Sequence, residues 1–198
     1  MSIAPPNSGH AHHTPGPVAV GAEDWLQAQW LRDYFPENLP EEWRLAYYAN
    51  DFSAVLVPAS SWSNAAPTAW AHWAEEVPPG FRLFLLLDET PVSEDARASA
   101  EACAAALGST FGGHVSRRCA PENSGFPILC VRPIHSQGPP GDIVLVTAAD
   151  LADRRTLGQR LQALAGRSEP PRAIIAEAGV PAAEVSELRT LAELTGLA

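Results

Sequence analysis

The chain has 198 residues, 46% of them hydrophobic and 18% charged. That suits one globular domain and excludes the disordered class. The formal net charge is −10, from 13 basic and 23 acidic residues; an acidic surface repels phosphate backbones and argues against nucleic-acid binding. The apolar runs Phe81–Leu87 and Ile143–Val146 fall far short of the ~20 residues that a membrane span needs.

The first 21 residues, rich in Pro, Gly and Ala, show no periodicity and read as a flexible lead, with a single α/β domain expected over 22–198. His10, His12 and His13 lie in that lead without an acidic or cysteine partner, so no metal site is expected. The start has no basic stretch followed by an apolar one, as a secretory signal would, and a cytoplasmic location is expected. Cys103, Cys119 and Cys130 are odd in number and widely spaced, which predicts buried thiols and neither a disulfide framework nor a redox pair.

From Trp25 to Phe35 the apolar spacing predicts a helix or an aromatic-rich turn, ended by Pro36 and Pro40. Residues 41–50 read as a short helix with Trp43, Tyr47 and Tyr48 on one side. Phe52–Val57 reads as a strand, followed by a loop through Ser60, Ser61 and Trp62. A helix over 66–77 buries Trp70, Trp73 and Val77. Phe81–Leu87 is nearly all apolar, like a strand covered on both faces. Glu94–Leu107 is an alanine-rich helix closed by Gly108.

Thr110–Val115 and Pro127–Val131 are weaker strands. Asp142–Thr147 is a clear strand, with Asp150 or Asp153 capping the helix after it. Arg172–Ala176 is the last strand, and Pro181 opens a final helix. Six strands alternate with helices, which predicts a mostly parallel sheet covered by helices. A closed (β/α) barrel has eight strands, so the expected architecture is a reduced or incomplete TIM-barrel-like fold, with an open sheet edge that a homodimer or other protein partner would protect.

Several chemistries lack their sequence support. The chain contains no lysine, which excludes Schiff-base and phosphate-loop lysines. There is no dinucleotide or phosphate-loop glycine motif, no HExxH and no GxSxG. No cofactor is called for. In parallel α/β folds function gathers at the carboxyl ends of the strands. That position selects Asp88, His135 and Glu177 as candidate acid–base groups. It selects Ser61, Trp62 and Arg132 as candidate binding groups, with Arg132 as an anion clamp. Each also has a plain structural reading: acids cap turns, and Trp62 packs against the next helix.

The segment Tyr34–Trp62, YFPENLPEEWRLAYYANDFSAVLVPASSW, followed by WAHWAEEVPPGFRLFLLL up to Leu87, resembles the DUF72 (YecE-like) family, whose members are TIM-barrel-like proteins of unestablished function. The resemblance implies a divergent, shortened member, and it covers roughly residues 34–87. It also implies losses. An acid and an amide that family members carry on the second strand fall at Leu56 and Pro58, and a lysine on the third falls at Leu86. Removing those charges predicts a frame that keeps its packing but not its polar mouth. The leading expectation is therefore a non-catalytic protein that binds a partner or a small molecule. The alternative is a hydrolase-like enzyme using strand-end carboxylates with His135 and Arg132.

Overall fold

The computed structural model describes residues 17–87, 93–118, 127–136 and 141–198. Within them, seven parallel strands close into a barrel: β1 (Ala19–Glu23), β2 (Ala54–Val57), β3 (Arg82–Leu87), β4 (Phe111–Ser116), β5 (Ile128–Pro133), β6 (Ile143–Val146) and β7 (Ala173–Ala176). They follow chain order around the barrel, and β7 returns to pair with β1 through Ala19–Ala173 to Ala22–Ala176. The helices are α1 (Ala28–Asp33), α2 (Arg44–Asp51), α3 (Ala59–Ser63), α4 (Pro67–Glu76), α5 (Glu94–Leu107), α6 (Ala148–Ala152), α7 (Arg154–Ala165) and α8 (Ala182–Leu194).

The side-chain period of two divides each strand between two cores. Ala54, Leu56, Phe84, Leu86, Val115, Val131, Leu145 and Ile175 belong to the cluster that fills the barrel interior. Their alternates Val55, Val57, Leu83, Leu85, Val144, Val146 and Ile174 join the cluster packed under the helices. Both faces of these strands are therefore apolar, which is why the sequence shows continuous runs instead of alternation.

The α/β class and the barrel-like frame agree with expectation, with one strand fewer than eight. Closure removes the open edge, and with it the edge-protection reason for a dimer. The ordered frame also begins before residue 22, because β1 crosses that boundary. AVGAE has no large apolar side chain to mark it as a strand; pairing with β2 on one side and β7 on the other makes it one. Gly21 is required there, since a Cβ would lie 1.7 Å from the Ala54 carbonyl oxygen. Ala59–Ser63, expected as loop, is a short helix after Pro58, and Thr147 opens a further short helix with a reciprocal capping box to Asp150.

Aromatic side chains with polar tips fasten the seams. The Tyr48 hydroxyl accepts from the Ala22 N–H (2.8 Å) and donates to the Ala54 carbonyl (2.7 Å), joining β1 to β2. The Trp30 indole N–H donates to the Val180 carbonyl (2.8 Å), joining α1 to the segment after β7. Cys103 is a free, buried thiol pushed up to about 12 by desolvation. Cys130 is disulfide-bonded, which corrects the expectation of thiols throughout. Pairing follows distance in the fold, and spacing along the chain does not reveal it. No helix among the described residues is long and apolar enough to cross a membrane.

Candidate functional site

Two polar clusters form at the carboxyl ends of the strands. The first lies on the barrel axis side. Glu23 ends β1 in phase with Ala19 and Gly21, and Arg117 follows β4 in phase with the interior Val115. Arg117 reaches Glu23 at 2.5 Å, although β2 and β3 separate their strands in the sheet. Glu23 is 7% exposed, and it also takes a long contact from the Ala178 N–H at 3.4 Å. Ser116 braces the turn that carries Arg117, accepting from the Arg118 N–H (3.1 Å) and donating to the Arg118 carbonyl (2.8 Å).

Asp24 follows with a positive φ of 60°, the one such non-glycine residue described. Its carboxylate accepts from the Leu26 N–H at 2.9 Å, an Asx-type turn that makes the left-handed region accessible to Asp. Burial, with a smaller push from Glu23, raises its carboxyl above the usual range. Glu23 and Asp24 are thus neighbouring carboxyls in different surroundings, one ion-paired to arginine and one raised by burial. Gln27 binds this corner to β7, donating to the Glu23 and Asp24 carbonyls and accepting from the Gly179 N–H at 2.6 Å.

The second cluster lies between β5, β6 and α7. Asp150 is 7% exposed and carries four partners: the Thr147 N–H (3.0 Å), the Thr147 hydroxyl (2.7 Å), His135 Nδ1 (3.2 Å) and Arg160 (2.9 Å). Burial alone would raise its carboxyl. The hydrogen bonds from Thr147 and then from His135 outweigh that and hold it below the usual carboxylate range. The His135 ring is 49% exposed and has no other partner among the described residues. A proton on Nδ1 facing the carboxylate leaves Nε2 as the acceptor.

Of the residues selected from sequence, His135 is thus joined to Asp150, which lies just beyond the end of β6 and also has a capping role. Glu177 is half-buried directly after β7, one register position beyond Ala176 and so beside Glu23. Arg132 pairs in register with the helix-facing Val144, and it lies outside the barrel mouth. Trp62 is 2% exposed and its indole N–H is spent on the Leu86 carbonyl (2.9 Å), so it packs the core and presents no stacking face. Ser61, half-buried, lies in α3 beside it. Asp88 falls outside the described residues.

Glu23, Asp24 and Arg117 are not legible in the sequence, because AVGAE carries no strand pattern of its own. The available signal was the phase of Arg117, two residues beyond the interior Val115. Among the described residues no three His, Cys, Asp or Glu side chains group as metal ligands do.

A seven-stranded parallel barrel with charged groups at its strand ends defines the class: a reduced (β/α) barrel. The family model described as "Protein of unknown function DUF72" matches residues 19–112, from β1 to the start of β4. A crystal structure of a DUF72 family protein from Thermotoga maritima shares the fold with a TM-score of 0.53 at 11% identity, over 90% of this chain and 100% of that one. A DUF72 family protein from Enterococcus faecalis aligns at 11% identity over 92% and 99% of the two chains, with a TM-score of 0.48. No functionally curated protein matches the chain. Over residues 19–112 the chain is thus similar in sequence to the DUF72 family, and it shares the fold of a DUF72 family protein.

Proposed function

We propose that the chain is a hydrolase-like enzyme working at the strand-end face, with His135 as its proton carrier. The observation that carries this reading is the Asp150–His135 pair: a buried, multiply held carboxylate 3.2 Å from Nδ1 of a half-exposed imidazole. A general base needs such a partner, which fixes the tautomer and stabilises the imidazolium formed when Nε2 takes a proton from water or a hydroxyl. Asp150 is then a positioning residue, and Arg160 and Thr147 keep it ionised and oriented. At the same end of the barrel, Glu23, Asp24 and Glu177 are the carboxyl groups available for the leaving group, and Arg117 is the cation paired with Glu23. This moves the anion-contacting role from Arg132 to Arg117.

A binding role without turnover is the second reading. Leu56 and Leu86 belong to the interior cluster, where the family resemblance places polar groups. Chromogenic carboxylic esters, phosphate esters and glycosides assayed with the wild-type chain, His135→Ala and Asp150→Asn separate the two. The enzyme reading expects turnover that falls about 10²–10⁴-fold in His135→Ala. Turnover that His135→Ala leaves unchanged, or none on any class, rejects it and leaves the binding reading.

A further inference from the structure

The opposite end of the barrel carries a different arrangement. At the amino ends of the strands a recess of about 550 Å³ is lined by Ala19, Arg82, Phe84, Phe111, Gly112 and Arg172, among others. Among the described residues its walls hold two guanidinium groups and no carboxylate, in a chain whose net charge is −10. Neither Arg82 nor Arg172 makes an ion pair among the described residues; the eight pairs present involve other side chains. Asp142, whose backbone carbonyl accepts from the Arg172 N–H, spends its carboxylate on the Cys130 N–H at 2.8 Å.

The recess is built into the fold. Arg82 opens β3 in phase with Phe84 and Leu86, so the barrel period turns it toward the interior end. Its guanidinium is steadied by the Ser109 carbonyl (2.7 Å) and the Phe81 carbonyl (3.3 Å), both through one terminal nitrogen. The other donors of the fork remain for a ligand. Gly112 keeps the space open beside Phe84: a Cβ there would lie 2.6 Å from the ring. The small Ala19 leaves the floor wide. Two arginines lining one recess, with no counter-ion among the described residues, are how proteins recognise planar or tetrahedral oxyanions.

We infer that this recess is a binding site for a phosphate-type oxyanion, either free or esterified to a small organic group that would rest against Phe84 and Phe111. It lies at the end of the barrel remote from the strand-end clusters. It therefore stands whether or not the chain is a hydrolase, and its occupant acts on stability or regulation.

The test follows thermal unfolding of the full chain in inorganic phosphate, and in glycerol phosphate as a small monoester, against sodium chloride at equal ionic strength. The expected result is a saturable rise of a few degrees in the wild-type midpoint, lost in Arg82→Gln and in Arg172→Gln. It should persist in Arg155→Gln, which alters an exposed arginine of α7. Saturation by the ester at lower concentration identifies an esterified ligand, and saturation by phosphate at equal or lower concentration identifies the free anion. No rise above chloride with either ligand overturns the site. So does a rise that both recess variants retain, or one that Arg155→Gln also abolishes. If Arg82→Gln does not fold, Arg172→Gln decides alone, because its side chain is exposed and its loss leaves the core intact.

Discussion

Arg117 and Glu23 meet at 2.5 Å from strands that are not neighbours, spanning the mouth of the barrel. The pair links β1 to β4, and those elements share no ladder. Its acid is nearly buried and its base is 41% exposed. Removing Arg117 strands the Glu23 charge, whereas removing both partners does not. Arg117→Gln is expected to lower stability by about 1–3 kcal/mol, less than a fully buried pair would lose because solvent screens the arginine. The double variant with Glu23→Gln is expected to recover part of the loss. Urea unfolding at pH 7 measures both.

Tyr48 is the second joint that a small change opens. Tyr48→Phe removes the hydroxyl that satisfies both the Ala22 N–H and the Ala54 carbonyl in a fully buried place. Leaving such groups unpaired costs about 1–3 kcal/mol. Gly21→Ala is expected to be worse, because its Cβ collides with backbone and no rotamer relieves it. Comparing denaturant midpoints of the two variants gives the order, and a Gly21→Ala midpoint equal to wild type would contradict the close approach of β1 and β2.

His114 sets a pH dependence. Desolvation lowers its pKa below 6.5, despite the Ala100 carbonyl 3.2 Å from its Nε2. The unfolded chain therefore binds a proton more readily than the folded one. Its contribution is complete above about pH 6.5 and shrinks as the pH falls from there toward the lowered folded value. Thermal midpoints measured from pH 7.5 to 5 should decline in the wild type, and the decline should be shallower in His114→Gln. Equal slopes would show that the histidine is not the group responsible.

Asp150 acts in a lower window. Its folded pKa lies below the ordinary 3.8, so its stabilising effect is full above that value and disappears as pH falls through the folded one. Asp150→Asn keeps an acceptor for the Thr147 N–H but loses the charge facing Arg160 and His135. A loss of about 1–3 kcal/mol at pH 7 is expected. The gap between variant and wild type should narrow below pH 3.5, as followed by circular dichroism.

Residues 94–107 show what local pattern carries. Ser93 caps, alanines propagate and Gly108 stops with φ of 54°, so the expected and observed helices have the same ends. The apolar runs at β2, β3, β6 and β7 likewise announce strands covered on both sides. His135 and Glu177 were reachable from strand-end position alone. Asp24, Glu23 and Arg117 were not, because each takes its meaning from β1.

By itself the sequence determined the α/β alternation, the helix stops, the family resemblance and the absence of lysine chemistry, since all of these reside in neighbouring residues or composition. Tertiary structure alone decided that AVGAE is a strand, that seven strands close, and that Trp62 turns inward while Arg132 turns outward. It also decided that Arg117 meets Glu23 and that Asp150 holds His135. The physical reason is the same in each case. A strand of small residues gains its hydrogen bonds only from its neighbours, and an ion pair 94 residues apart exists only after the barrel has closed.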